Sequence, residues 1–137
     1  MKITWVCCRS YDEARNYSRI IYLHEWNGKP FYWGKADKSF FGGHKREQDG
    51  LFASGRYNAG YRHWIEGCLQ HGGRLYIGKL DAEARGCFDE LENFLINTYG
   101  TEMNTRVLVP TRRLQVEHDG DIPESIKSRV ISSENDS

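Results

Sequence analysis

The chain has 137 residues, of which 39% are hydrophobic and 28% charged, as is typical of one soluble domain that forms its own hydrophobic core. No apolar run reaches the length of a transmembrane helix and no signal peptide opens the sequence, so we expect a cytoplasmic protein with no membrane partner. The 19 basic and 19 acidic residues give a net charge of zero, so the overall basic excess that is usual in nucleic-acid-binding proteins is missing.

The N-terminal segment from Lys2 to Arg9 predicts a β-strand, because it is rich in β-branched and aromatic residues. Cys7 and Cys8 would point to opposite faces of this strand, so they cannot easily bridge each other. None of the four cysteines has the Cys-x-x-Cys spacing of a zinc site, and we expect four reduced thiols. The polar stretch from Ser10 to Ser18 predicts a turn or a short helix.

The next segment predicts a β-hairpin. Its first arm runs from Ile20 to Trp26, the turn is Asn27-Gly28, and the return arm runs from Phe31 to Ala36. Asn-Gly is the strongest short hairpin signal, because both central residues of a type I′ turn need a positive φ. Tyr22 and Tyr32 lie on opposite arms, so the hairpin brings them near each other. Taken alone, such tyrosines are most often packing residues.

A long loop from Asp37 to Tyr57 follows the hairpin, and loops of this length are usually functional or mobile. Phe40 and Phe41 would stack on or wedge between bases while Lys45 and Arg46 hold phosphate. A glycine-rich surface loop that does not contact a substrate is an equally good interpretation of this segment.

The charges are distributed unevenly along the chain. The segment 29–63 has seven basic and three acidic residues, a net charge of +4, and the chain from residue 64 onward has a net charge of −5. A basic half facing phosphate beside an acidic remainder is physically sensible, although chance often produces the same distribution.

The second half of the chain predicts a helix, a strand and another helix. Asn58 can cap a helix from Ala59 to about His71, which Gly72-Gly73 ends. A third strand then runs from Arg74 to Leu80, and a second helix runs from Asp81 to about Thr98. The helical period predicts two buried stripes: Tyr61, Trp64, Ile65, Cys68 and Leu69 on the first helix, and Ala84, Cys87, Phe88, Leu91 and Leu95 on the second.

The C-terminal part is expected to contribute little to the fold. Arg106 to Val109 predicts a last short strand, and we expect one domain over residues 1–113 with its core at about 19–109. Residues 114–137 form a polar tail, with a short helix over Pro123–Ile131 and disorder from Ser132. The order of hairpin, helix, strand and helix predicts an α+β fold with a small central antiparallel sheet flanked by helices.

Glu92 is the most informative single residue of the second helix. Phe88 and Ile96 lie one turn before and after it, which places Glu92 at the edge of the apolar face. A carboxylate there needs a partner, because burying it alone is costly. The partner is either a basic side chain in a structural ion pair or a divalent cation.

The hairpin resembles the paired motif of the GIY-YIG nuclease domain. Ile20-Ile21-Tyr22 corresponds to the first half and Tyr32-Trp33-Gly34 to the second, followed by Lys35-Ala36. Two positions depart from the family pattern: Ile20 replaces the first glycine and Trp33 replaces the central isoleucine of the second half. The resemblance covers roughly residues 20–104 and matches the family's order of elements.

The resemblance implies a set of site residues. In Leu91-Glu92-Asn93-Phe94-Leu95-Ile96, which is similar to the family's E-x-x-L-I segment, Glu92 would be the metal ligand. An asparagine twelve residues later, Asn104, would support the site. The phosphate-binding arginine would be Arg62, in the first turns of the helix, with Arg56 second and Arg46 third. Further contacts to the substrate would come from Lys35, Lys45 and His63.

The implied activity is hydrolysis of DNA phosphodiester bonds with one Mg²⁺ or Mn²⁺ ion. Tyr22 would be the general base and Tyr32 would orient water or phosphate, while Arg62 would stabilise the developing charge. Sequence specificity would come from the loop, the C-terminal tail or a homodimer. The alternatives are a catalytically inactive nucleic-acid-binding or protein-interaction module on the same scaffold, and an unrelated α+β protein with tyrosines in its core.

Overall fold

The computed structural model describes residues 1–14, 16–36, 59–101 and 112–128, and for residues 59–63 it describes the backbone only. A short helix over residues 124–128 closes the described part of the chain. The elements before it are β1 (Lys2–Cys8), α1 (Tyr11–Ala14), β2 (Ile20–Trp26), β3 (Lys29–Ala36), α2 (Ala59–Gln70), β4 (Gly73–Leu80), α3 (Ala82–Gly86), α4 (Phe88–Tyr99) and β5 (Glu117–Gly120).

The five strands form one sheet in the order β3-β2-β4-β1-β5. Neighbouring strands are antiparallel, except that β1 and β5 run parallel. The α+β class is therefore confirmed, but the sheet is larger than predicted and mixed. It is larger because β1 pairs with β4 over its whole length, from Ile3↔Leu80 to Cys8↔Leu75, and because the C-terminal part supplies a further strand.

The hairpin forms where the sequence predicts it. Asn27 and Gly28 both have positive φ, 54° and 73°, as a type I′ turn requires. The return strand begins at Lys29, two residues earlier than expected. It tolerates Pro30 because β3 is the edge strand among the described strands of the sheet, where a missing N–H leaves no neighbour unpaired.

Alternation along the strands divides the core into two layers, one on each side of the sheet. On the side that we call the α4 face, Ile21, Leu23 and Trp33 belong to the cluster that includes the buried residues of α4. On the other side, the α2 face, Ile20 and Tyr22 cluster with Ile65 of α2. The two strands of the hairpin thus contribute to both layers.

The predicted second helix is in fact two helices. Asp81 caps α3, because its carboxylate accepts hydrogen bonds from the backbone N–H groups of Ala84 and Lys2, each at 2.8 Å. Cys87 then leaves the helical region, with φ −128° and ψ 44°, and α4 starts at Phe88. Within the described ranges, none of the helices has the length and apolar character needed to cross a membrane.

Residues 114–128 are part of the fold, in contrast to the polar tail expected there. β5 pairs with β1, and Leu114 and Ile126 are buried in the α4-face core. Glu25, only 2% exposed, accepts hydrogen bonds from the backbone N–H and the hydroxyl of Ser125, at 2.9 and 2.7 Å. The predicted strand at 106–109 and the predicted disorder from residue 132 lie outside the described residues.

The imidazole of His118 joins β5 to the core. Its Nδ1 accepts a hydrogen bond from the Trp5 indole N–H at 3.0 Å, and its ring stacks on Trp5 with 6.3 Å between the centroids. Burial lowers the pKa of His118 to about 4, so the ring is neutral at neutral pH and Nδ1 can act as the acceptor.

Replacing Ile126 by alanine tests the integration of the C-terminal segment. Because Ile126 is fully buried, Ile126→Ala is expected to lower the free energy of unfolding by about 2–4 kcal/mol. The adjacent, exposed Lys127→Ala is the matched control and should change it by less than about 0.5 kcal/mol. Urea denaturation measures both. Equal, small effects would mean that the segment is not part of the cooperative core.

Candidate functional site

Tyr22 and Tyr32 lie side by side on the α2 face of the hairpin. Their ring centroids are 6.1 Å apart, with the ring planes inclined by 32°. Tyr22 is 4% exposed, whereas Tyr32 at the edge strand is half-buried. The register explains the pair, because Tyr32 lies opposite His24, which is the next residue of β2 on the same face as Tyr22.

The ring of Tyr22 lies directly over the backbone of its cross-strand partner, Gly34. A Cβ atom at position 34 would be only 2.2 Å from Cζ and 2.3 Å from Oη of Tyr22. Any side chain at position 34 would therefore require the Tyr22 ring to move. The glycine of the second half-motif leaves the space that the tyrosine of the first half-motif occupies.

The two departures from the motif have different surroundings. Trp33 points to the α4 face, where its indole N–H donates to the carbonyl of Gly100 at 2.8 Å and its ring packs edge-on against Trp5. This departure therefore lies on the side of the sheet away from the tyrosines. Ile20 is 1% exposed and lies on the α2 face opposite Ala36, so its side chain fills space in the layer that contains Tyr22.

His24 belongs to the same group of rings, although the sequence analysis did not select it. Its centroid is 5.9 Å from that of Tyr22 and 6.3 Å from that of Tyr32. The imidazole is 1% exposed, and burial lowers its pKa to about 3, so it is neutral at neutral pH. Alternation could have identified it, because His24 follows Tyr22 by two residues in a strand.

Trp64 also differs from expectation. The helical period placed it on the buried stripe of α2, beside Ile65, but its side chain is 40% exposed while Ile65 is fully buried. The indole lies at the border of the α2 face, edge-on to His24 at 5.1 Å and to Phe31 at 6.0 Å between centroids. The Trp64 indole is large enough to shield His24 and Phe31 from solvent while part of its own surface stays exposed.

Glu92 is 3% exposed on α4, in agreement with its predicted place at the border of the apolar stripe. The buried apolar residues of α4, namely Leu91, Leu95 and Ile96, pack on the α4 face, across the sheet from the tyrosines. The strand nearest to α4 is β3, the edge strand that also carries Tyr32. The helix that carries Glu92 therefore lies on the opposite side of the sheet from the tyrosine rings.

The described residues contain no group of three or more His, Cys, Asp or Glu side chains arranged to hold a metal ion. Mg²⁺ does not need such a group, because it commonly keeps several waters and binds through one or two carboxylates together with substrate phosphates. The predicted carboxylate, Glu92, is 3% exposed, so a hydrated cation could reach it only if its surroundings opened.

The structure does not bring Lys35 to the tyrosine pair. Lys35 points to the α4 face, where its ammonium group forms an ion pair with Asp89 and lies 5.8 Å from the centre of the Phe88 ring. The reason is strand alternation, because Lys35 is three residues from Tyr32 and so faces the opposite side.

The other predicted residues fall on parts of the chain that are described only partly or not at all. Arg62 and His63 lie in the first turns of α2, the helix that covers the α2 face, and only their backbone is described. Lys45, Arg46, Arg56 and Asn104 lie outside the described residues.

Comparison with known proteins gives no relative from which a role could be carried over. No protein-family model matches this chain, and no curated protein or solved structure is significantly similar to it. The resemblance of the hairpin to the GIY-YIG motif therefore stays a prediction from the sequence.

The contact between Tyr22 and Gly34 can be tested by a double-mutant cycle. Because the new methyl group would overlap the ring, Gly34→Ala is expected to lower the free energy of unfolding by about 1–3 kcal/mol. In a Tyr22→Ala background most of this penalty should vanish. Gly67→Ala is the control: Gly67 lies in α2 with nothing within 4 Å of an added Cβ, and the change should be neutral or stabilising. A penalty that is the same in both backgrounds would show that the ring is not what excludes a side chain at position 34.

Proposed function

We propose that this chain is a metal-dependent endonuclease that hydrolyses DNA phosphodiester bonds on a GIY-YIG-like scaffold. The observation that carries the proposal is the packing of the Tyr22 ring on Gly34 with Tyr32 beside it. Tyr22 is buried and Tyr32 is half-buried, so the pair reaches the surface at the edge of the sheet. Three of the four motif positions that match the family, Tyr22, Tyr32 and Gly34, therefore lie together on the α2 face.

In this proposal the tyrosines handle the attacking water. Tyr22 takes a proton from it, directly or through a relay, and Tyr32 orients the water or the phosphate through its hydroxyl. An isolated tyrosine has a pKa near ~10, so the phenol needs nearby positive charge to act as a base at neutral pH. His24 cannot supply that charge, because its buried imidazole is neutral. Arg62 on α2 is the predicted source of that charge.

The proposed site lies at the edge of β3, the strand that carries Tyr32 and lies nearest to α4. Glu92 would hold the Mg²⁺ or Mn²⁺ ion there, with water and phosphate oxygens as the remaining ligands. When bound, the cation neutralises the charge that develops on the leaving oxygen. Arg62 would stabilise the negative charge of the phosphate itself. Asn104 would support the site after the helix that carries Glu92.

A second candidate function is a non-catalytic nucleic-acid-binding or protein-interaction module on the same scaffold. The observation that favours it is the burial of Tyr22 and Glu92, which are only 4% and 3% exposed. A base that must meet water and a carboxylate that must meet a hydrated cation both need access to solvent. This candidate and an unrelated fold with core tyrosines both predict that no bond is cleaved.

The test is nicking of supercoiled plasmid DNA by the purified full chain. We expect nicking with Mg²⁺ or Mn²⁺, no nicking with a chelator, and loss of nicking in Glu92→Gln, which keeps the size of the side chain. Tyr22→Phe should slow cleavage by about 10²–10⁴-fold. The matched control is Tyr76→Phe, because Tyr76 is also 4% exposed but lies in the α4-face core.

Two results would contradict the nuclease. One is a wild-type protein that does not nick DNA with either cation. The other is nicking that Glu92→Gln and Tyr22→Phe leave unchanged, since the activity would then belong to other residues or to a contaminant. A protein that binds nucleic acid without cleaving it would instead support the non-catalytic module.

A further inference from the structure

A continuous row of aromatic rings leads away from the tyrosine pair across the α2 face. We call it the aromatic track, and it consists of Tyr22, Tyr32, His24, Trp64, Phe31 and Trp26. The centroids of neighbouring rings are 6.1 Å apart for Tyr22–Tyr32, 6.3 Å for Tyr32–His24, 5.1 Å for His24–Trp64, 6.0 Å for Trp64–Phe31 and 6.4 Å for Phe31–Trp26. The track therefore begins at the proposed site and ends beside the hairpin turn.

A β-bulge gives the track its continuity. The pairing of β2 with β3 shifts between His24 and Glu25, so that His24 is opposite Tyr32 and Glu25 is opposite Pro30. Phe31 is left as the extra residue on the return strand, and its ring contacts Trp26, His24 and Trp64. Bulges commonly re-aim a side chain in this way. Without the shift, alternation would send Phe31 and Tyr32 to opposite faces.

The two tryptophans of the track are the large hydrophobic residues that the described part of the chain leaves exposed. Trp26 and Trp64 are 43% and 40% exposed, while Trp5 and Trp33 on the other side of the sheet are each 1% exposed. Leaving two indoles in water forgoes the free energy of burying them. Their rings rest on Phe31 and His24 and are held in place without being covered, as a stacking surface requires.

The charge of the chain limits how this surface could bind a polyanion. The whole chain is neutral, and Lys35, in the basic segment 29–63, pairs with Asp89 on the α4 face. A neutral protein gains little total affinity from phosphate contacts. Base–aromatic stacking supplies affinity that does not depend on net charge, and it tolerates any sequence.

We infer that the exposed rings of the aromatic track, Trp26 and Trp64, stack the unpaired bases of a nucleic-acid strand, with the buried rings of the track supporting them, and that the substrate therefore contains a single-stranded stretch beside the cleaved bond. Bases in a duplex are already stacked on each other and present only their edges. The inference rests on the proposed nuclease function, from which it takes DNA as the ligand. It adds that the protein prefers unpaired DNA to duplex DNA.

The test uses the intrinsic fluorescence of the tryptophans. Full-length Glu92→Gln protein, in chelator so that no strand is cleaved, is titrated with a twenty-nucleotide oligothymidine and with a duplex of the same length. We expect the oligothymidine to quench the exposed Trp26 and Trp64 and to bind at least about tenfold more tightly than the duplex. The buried Trp5 and Trp33 are the internal control, because the Trp26→Phe/Trp64→Phe double variant should keep their emission and lose the quenching.

Single variants locate the contact. Trp64→Ala and Trp26→Ala should each weaken oligothymidine binding by about 5- to 150-fold, and Trp64→Phe, which keeps an aromatic ring over His24, should retain most of it. If Trp64→Ala does not fold, the oligothymidine affinity of Trp26→Ala, at the outer end of the track, still tests the inference. Duplex binding as tight as single-strand binding, single-strand binding without quenching, or no binding to either would overturn the inference. In the last case a protein partner would be the remaining occupant of the track.

The outcomes separate this inference from the proposed function. Tryptophan-dependent binding of oligothymidine by a protein that never nicks DNA would support the track and contradict the nuclease. The opposite outcome is that Trp64→Ala and Trp26→Ala nick duplex plasmid as fast as the wild type and that the protein shows no preference for single strands. That outcome would support the nuclease and overturn the inference about the track.

Discussion

The contact on which the hairpin and its surface depend is that between the ring of Tyr22 and the bare backbone of Gly34. The ring occupies the volume that a side chain at position 34 would take on the neighbouring strand, so this position of the ring requires glycine there. The same contact fixes the orientation of Tyr22, with Tyr32 at 6.1 Å. A feature that looks like a short motif in the sequence is thus one packing unit in space.

The two faces of the sheet differ in how far their aromatic residues are buried. On the α4 face, Trp33 and the residues around it are buried, and the C-terminal segment completes that layer through Ile126 and the Trp5–His118 hydrogen bond. On the α2 face, rings remain partly open to solvent and lead from the tyrosine pair to Trp26. Both sides of the sheet have a buried core, but the exposed tryptophans of the described residues, Trp26 and Trp64, lie on the α2 face.

The hairpin and the helices could be predicted because their signals are local. Asn27-Gly28 sets the turn, and the helical period placed Glu92 at the border of the buried face. The C-terminal strand could not, since Glu117–Gly120 is short and polar and pairs with β1, a strand more than a hundred residues away in the sequence. Lys35 was expected at the site because it directly follows the second half-motif, but strand alternation turns its side chain to the α4 face, where it pairs with Asp89.

The most direct measurement of the central claim is NMR of the protein with ¹³C at the Cζ atoms of its tyrosines, titrated with an oligonucleotide. The Glu92→Gln variant keeps the strand intact during the titration. If the tyrosine pair is the site, the Cζ resonances of Tyr22 and Tyr32 shift while those of Tyr76 and Tyr99, on the α4 face, stay in place. Saturable binding that shifts Tyr76 or Tyr99 and leaves Tyr22 and Tyr32 unmoved would contradict the account.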